Sequence, residues 1–165
     1  KRNLFDIRFL FVTLFIFGIT SCETEQGSNN GPAEISNIKH SDCKSLSLLK
    51  SDKQDCVEYQ TTNGNYLKIK RINVAFNCCI DGVLVLVTDN QSNEITIRES
   101  EICTTPCNCN CLYDLEYTIG PLDYGTYTFH IIEEYADTMN FEIEFTQTTQ
   151  GEYCEERNGY PWDVE

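Results

Sequence analysis

From Val57 onward, apolar and polar residues alternate with a period of two, the spacing that lays one face of a β-strand on a core. Val57, Tyr59 and Thr61 run into Asn63-Gly64, a dipeptide that favours a tight hairpin turn. Leu67 and Ile69 continue the pattern. Ile72, Val74 and Phe76 resume it one residue out of phase, so a bulge or a change of buried face is expected around Lys70-Arg71. Val83 to Val87 is continuously apolar, as in a central strand. Asp89-Asn90-Gln91-Ser92-Asn93 reads as a turn, after which Ile95 and Ile97 alternate with polar neighbours. The clearest alternation is in Tyr113-Leu115-Tyr117-Ile119, Tyr127-Phe129-Ile131 and Met139-Phe141-Ile143-Phe145. Residues 35–56 show no decisive period, although Ser45 to Leu49 fits a short helical turn. About seven strand segments joined by short turns, with no long helical period, predict an all-β antiparallel sandwich.

Leu122-Asp123-Tyr124-Gly125-Thr126-Tyr127 resembles the tyrosine corner of immunoglobulin-like and fibronectin type III domains. That resemblance gives Tyr127 and Gly125 structural roles, the Tyr hydroxyl bonding back to upstream backbone. The Cys…Trp…Cys spacing of true immunoglobulin domains is missing, because the one tryptophan is Trp162.

Ahead of this body stands a different kind of sequence. Lys1-Arg2-Asn3, an apolar run from Phe9 to Ile19 and Thr20-Ser21-Cys22 have the order of a secretory signal peptide. The apolar run is too short for a permanent membrane span. Ile19-Thr20-Ser21-Cys22 resembles the bacterial lipobox, which implies cleavage after residue 21 and lipidation of Cys22. Several acyl chains would anchor the chain stably to a membrane. The expected organisation is therefore a signal peptide over 1–21, a lipidated flexible tether over 22–36, and one sandwich domain with a C-terminal strap over 37–165. The tether assignment rests on the Gly/Ser/Asn-rich stretch from Glu23 to Pro32. Its acidic residues resemble surface-export signals of Bacteroidota lipoproteins, which points to the outer membrane and leaves its periplasmic and surface sides both open.

Charge narrows the partners. The 165 residues carry a formal net charge of −14, and removal of 1–21 leaves 9 basic and 25 acidic side chains. A surface of that sign repels nucleic-acid phosphate and anionic lipid alike, so no nucleic acid is expected and the lipid must do the membrane holding. With 41% apolar residues the chain is no disordered acidic tail.

Ten cysteines are the unusual chemistry. With Cys22 lipidated, nine remain, an odd number that leaves at least one thiol unpaired or shared between chains. Cys78-Cys79 precedes the Asp81-Gly82 turn, and Cys103, Cys107, Cys109 and Cys111 form a second cluster. In an extended segment, Cys107, Cys109 and Cys111 share a side. One reading is a disulfide staple between these clusters, with Cys43–Cys56 and Cys154 adding local closures, in a compartment where disulfides persist. This reading needs no cofactor. The alternative is a thiolate metal or redox site for a soft ion such as Cu(I) or Zn(II).

Asn73-Val74-Ala75-Phe76-Asn77-Cys78-Cys79, Cys109-Asn110-Cys111-Leu112-Tyr113-Asp114-Leu115 and Gly125-Thr126-Tyr127 together resemble a family of uncharacterised envelope lipoproteins from Bacteroidota. The ending from Tyr153 to Trp162 is similar to endings on related chains. The resemblance implies the cell envelope and a β-rich fold, and brings no catalytic residues.

Other patterns carry weaker chemistry. Tyr160 and Trp162 offer aromatic faces for a sugar, with Arg157, Asn158 and Asp163 nearby; the competing reading has Trp162 folded back to plug the sandwich. Asp89 to Glu94 supplies oxygen ligands without the glycine of an EF-hand loop. Asp114/Glu116 and Glu142/Glu144 are carboxylate pairs of the kind glycosidases use, though placed on polar strand faces. His40 and His130 are the two histidines, and no nucleophile–base set assembles around His130. The sequence thus predicts a lipid-anchored envelope protein without catalytic residues, a binding or accessory module for a glycan or an envelope protein.

Overall fold

A computed structural model of the chain describes residues 32–44, 53–62, 64–89 and 92–162. The lipobox, Cys22 and the predicted turn at 45–49 lie outside these residues. Among the described residues, nine strands form two packed sheets: β1 (Glu34–His40), β2 (Gln54–Thr62), β3 (Tyr66–Asn77), β4 (Gly82–Asp89), β5 (Glu94–Ile102), β6 (Asn110–Gly120), β7 (Gly125–Ile132), β8 (Met139–Phe145) and β9 (Gln150–Glu156). One sheet has the order β1-β6-β3-β2-β9 and the other β4-β5-β7-β8. The expected all-β sandwich is present, and the period-two positions build its core. Leu67 and Ile69 of β3, Leu115, Tyr117 and Ile119 of β6, Ile95 and Ile97 of β5, and Phe129 and Ile131 of β7 are fully buried between the sheets. The tyrosine corner is formed as well, with the Tyr127 hydroxyl donating to the Asp123 carbonyl at 3.0 Å.

Several expectations are revised. β5 and β7 pair in parallel, so the second sheet is mixed rather than wholly antiparallel. β1 and β9 are additional edge strands. β1 begins at Glu34, which takes residues 34–36 out of the tether. The irregularity in β3 falls between Ile72 and Val74, where Asn73 adopts a left-handed φ of 69°, and Arg71 keeps the inward phase of Leu67 and Ile69. Asn tolerates that conformation better than most residues. Val83–Val87 is not central: β4 ends its sheet, with Leu84 and Leu86 facing outward and exposed.

The topology gives the sandwich two distinct ends. β1 runs antiparallel to β6, with Glu34 opposite Gly120 and His40 opposite Leu115. The chain therefore enters at the Gly120 end. There Gly120 (φ 153°) packs so closely on the Asn65 carbonyl and Tyr66 ring that a Cβ would come within 2.7 Å of both. The ends of β3 and β5 and the starts of β4 and β6 gather at the opposite end, with the cysteine clusters. β6, eleven residues long, separates the two ends by about 35 Å.

Candidate functional site

At the cysteine end, residues 103–109 form an exposed irregular loop between β5 and β6. Such a segment buries little of its own, so its order comes from cross-links. Cys78 bonds Cys109 and Cys79 bonds Cys107, tying the β3–β4 turn to the loop across 31 and 28 residues. Cys43 bonds Cys111, which holds the segment after β1 to the start of β6. Cys56 bonds Cys154 between β2 and the edge strand β9. The expected Cys43–Cys56 closure is thus replaced by two long-range bridges. Cys56 and Cys154 face each other across a strand pair, whereas Cys43 follows β1 to the other side of the sheet. Cys103 is the free thiol among the described residues, and its Sγ lies 3.1 Å from the Cys79 carbonyl.

Asn77 is the polar keystone of this end. Its buried side-chain oxygen accepts from the Cys79 and Cys107 amides at 3.0 Å each, and its Nδ2 donates to the Cys107 carbonyl at 2.8 Å. The Asn77 amide donates to Glu101, and the Tyr113 hydroxyl donates to the Asn77 carbonyl. Further out, Asp81 accepts from the Thr104 amide and hydroxyl, which hold its carboxyl below the usual range. The Tyr160 hydroxyl accepts from the Asn110 amide at 2.8 Å and donates to its carbonyl. The loop is thus attached at Thr104, Cys107 and Cys109 and open to solvent along its tip.

The sulfur arrangement bears on the metal alternative. The Sγ atoms of Cys43, Cys78 and Cys111 lie within 4.8 Å of one another, and Cys56, Glu152 and Cys154 make a second such group. All five sulfurs are in disulfides, so thiolate ligation requires reduction first.

Of the other predicted residues, Trp162 is buried, and its indole N–H donates to the Asn73 carbonyl at 2.9 Å. It does fold back, but it packs on Ala75 and Leu112, on the side of their sheet away from the main core. Its ring therefore has no face free for a sugar, whereas Tyr160 is 55% exposed. Asp114 pairs with Lys44 at 2.5 Å and Glu116 with Lys68 at 2.8 Å. Glu142 and Glu144 are exposed on the other sheet, so the two carboxylate pairs do not face each other. The His130 Nδ1 lies 2.7 Å from the Asn140 side-chain oxygen. Residues 90–91 of the Asp89–Glu94 loop lie outside the described residues.

A second constellation, which the sequence reading missed, is buried between the sheets. Arg71 has no exposed side-chain surface, and its guanidinium contacts Glu99 at 2.5 Å, Asp55 at 2.7 Å and Glu133 at 2.5 Å. Arg157 holds Asp55 through Nε and Nη2 at 3.1 and 3.0 Å. The Tyr117 hydroxyl donates to Glu99 at 2.8 Å. Burial opposes the Arg71 charge, but Glu99, Glu133 and Asp55 outweigh it and keep the guanidinium protonated. Burial, with Asp55 and Glu99 nearby, pushes Glu133 up to about 8 against the pull of Arg71. Its Oε2 finds no donor in the cluster, which further disfavours the ionised form. Four of these residues continue the inward phase of their strands: Leu67-Ile69-Arg71, Ile95-Ile97-Glu99, Phe129-Ile131-Glu133 and Asp55-Val57. That phase was the signal available in the sequence.

Comparison with known proteins adds no assignment: no family model, curated protein or solved structure matches the chain.

Proposed function

We propose that the chain is a lipid-anchored cell-envelope protein of the outer membrane that works by binding, presenting the 103–109 loop as its recognition surface. The observation that carries this reading is the position of that loop: exposed, held by two disulfides, and at the far end of the sandwich from Glu34, where the chain enters. A lipid on Cys22 would leave this loop directed away from the membrane. Binding residues concentrate on loops carried by rigid scaffolds, and a loop already fixed loses little entropy when a ligand docks. The lipobox and the resemblance to Bacteroidota envelope lipoproteins support the compartment. The partner is a glycan or an envelope protein.

The full chain, screened on glycan arrays and against envelope proteins, should bind a ligand. Thr105→Arg with Asn108→Arg, both at exposed loop positions, should abolish that binding. Binding that survives the double substitution would contradict the loop assignment, and turnover of the bound molecule would contradict a non-catalytic role. Cys22→Ser should release the protein from the membrane fraction; retention there would contradict the anchor.

The closeness of the Cys43, Cys78 and Cys111 sulfurs favours a second reading, a thiolate site for Cu(I) or Zn(II) in the reduced protein. It predicts stoichiometric metal uptake after reduction, lost in Cys43→Ser with Cys111→Ser; reduced protein that takes up no metal would overturn it.

A further inference from the structure

Among the described residues, four strands end the two sheets: β1 and β9 in one, β4 and β8 in the other. An edge strand carries a row of unpaired backbone N–H and C=O groups, and proteins commonly guard such edges with charged side chains. Three of these edges are guarded. β1 bears Glu34 and Lys39, β8 bears Glu142 and Glu144, and β9 bears Glu152, Glu155 and Glu156. β4 has no charge from Gly82 through Thr88, in a chain whose net charge is −14. Among the described residues it pairs with β5 alone; β1 approaches it from the other sheet without pairing. Its outward residues are apolar as well: Leu84 is 43% exposed and Leu86 52%, while Val85 between them is buried.

The order of residues along this edge identifies what fits it. Val83-Leu84-Val85-Leu86-Val87 reads the same in both directions. Antiparallel pairing with an identical strand, centred on Val85, sets Val83 against Val87 and Leu84 against Leu86 in both halves. A two-fold axis normal to the sheet keeps every valine on the inner side and every leucine on the outer side. Shifting the register by one residue would set an inward valine against an outward leucine, and shifting it by two would set Thr88 against a leucine in one direction and Gly82 against a leucine in the other. The palindrome therefore matches itself in one register only. Asp81, just before the strand, is turned toward Thr104 of its own chain, and in this register it falls opposite Asp89 of the other copy, so like charges flank the apolar stretch at each end.

We propose that β4 pairs antiparallel with β4 of a second copy of this chain about a two-fold axis at Val85, joining two four-stranded sheets into one of eight. The contact is isologous, so it closes as a dimer and does not propagate into a filament. Leu84 and Leu86 of opposite copies come within cross-strand packing distance, which covers apolar surface that the single chain leaves in water. The net charge of the two copies opposes their approach, so added salt strengthens the dimer.

Sedimentation equilibrium of the full chain in density-matched detergent tests this. The expected result is a mass twice that of the single chain over the micromolar range, with association tightening as salt is raised. L84K/L86K places like charges opposite each other at exposed positions and should give monomer. L84K/L86E places each new cation opposite a new anion of the other copy and should restore the dimer. Wild-type monomer at all these concentrations would overturn the proposal, as would a dimer that persists in L84K/L86K. Failure of L84K/L86E to restore association would overturn the Val85-centred register.

Discussion

At the cysteine end, disulfides and the Asn77 amide hold an exposed loop in place. A few residues back along the same strands, Arg71 and Arg157 hold Asp55, Glu99 and Glu133 in the interior without a covalent bond. The two regions solve opposite problems. The loop lies in water, where hydrogen bonds and ion pairs compete with solvent and contribute little, so covalent closure of the unfolded chain is the effective device. The ionic cluster is out of water, where each charge has lost its hydration. Its pairs chiefly offset that loss, and removing one partner exposes the whole deficit. The staple therefore acts mainly on the unfolded state, and the cluster on the folded one.

Breaking the cluster should have the largest effect. Arg71→Met leaves Asp55, Glu99 and Glu133 facing each other without their central cation. We expect a loss of about 3–5 kcal/mol in denaturant unfolding, enough to abolish folding of a marginal domain. Cys56→Ser with Cys154→Ser removes the longest closure, 98 residues, and should cost about 2–5 kcal/mol. Cys79→Ser with Cys107→Ser, which closes 28 residues, should cost less, and the gap between the two double variants measures how far loop length governs the staple. Equal losses would put the effect in the native state instead.

A smaller effect separates the regions by pH. The folded state raises Glu133 from 4.5 to about 8, so between those values the folded protein binds a proton that the unfolded chain releases. Stability from this group is complete below the unfolded value and declines as pH rises toward 8, by up to about 1.4 kcal/mol per pH unit. Glu133→Gln should flatten that decline, as read from unfolding midpoints between about pH 5 and about pH 8, while disulfide variants leave it unchanged. The smallest effect belongs to the exposed Glu58–Lys70 pair: Lys70→Ala should change stability by less than about 1 kcal/mol.

The strands legible in the sequence were those whose burial alternates. β8 reads buried-exposed from Met139 to Phe145 without interruption, and β6 and β7 are nearly as regular. β1 and β9 were illegible because an edge strand with few core contacts has no apolar face to display. The opposite error occurred at β4, where Leu84 and Leu86 filled the outward positions and an edge read as a centre. The parallel β5–β7 pairing depends on which strands meet across the fold, a long-range outcome that local periodicity does not encode. The same holds for Cys43, whose partner Cys111 is brought near by the β1–β6 ladder. Arg71, Glu99 and Glu133 sat in phase with the core, yet a charge at the end of an apolar alternation looks like the end of the strand. Only their convergence from three strands makes them a cluster.

The central claim is that the 103–109 segment is a covalently fixed recognition loop, and peptide mapping of unreduced, alkylated protein by mass spectrometry tests it most directly. The map should contain Cys43–Cys111, Cys56–Cys154, Cys78–Cys109 and Cys79–Cys107, with Cys103 the alkylated thiol among them. Alkylation of Cys107 and Cys109 in the native protein, or a Cys43–Cys56 linkage, would contradict it.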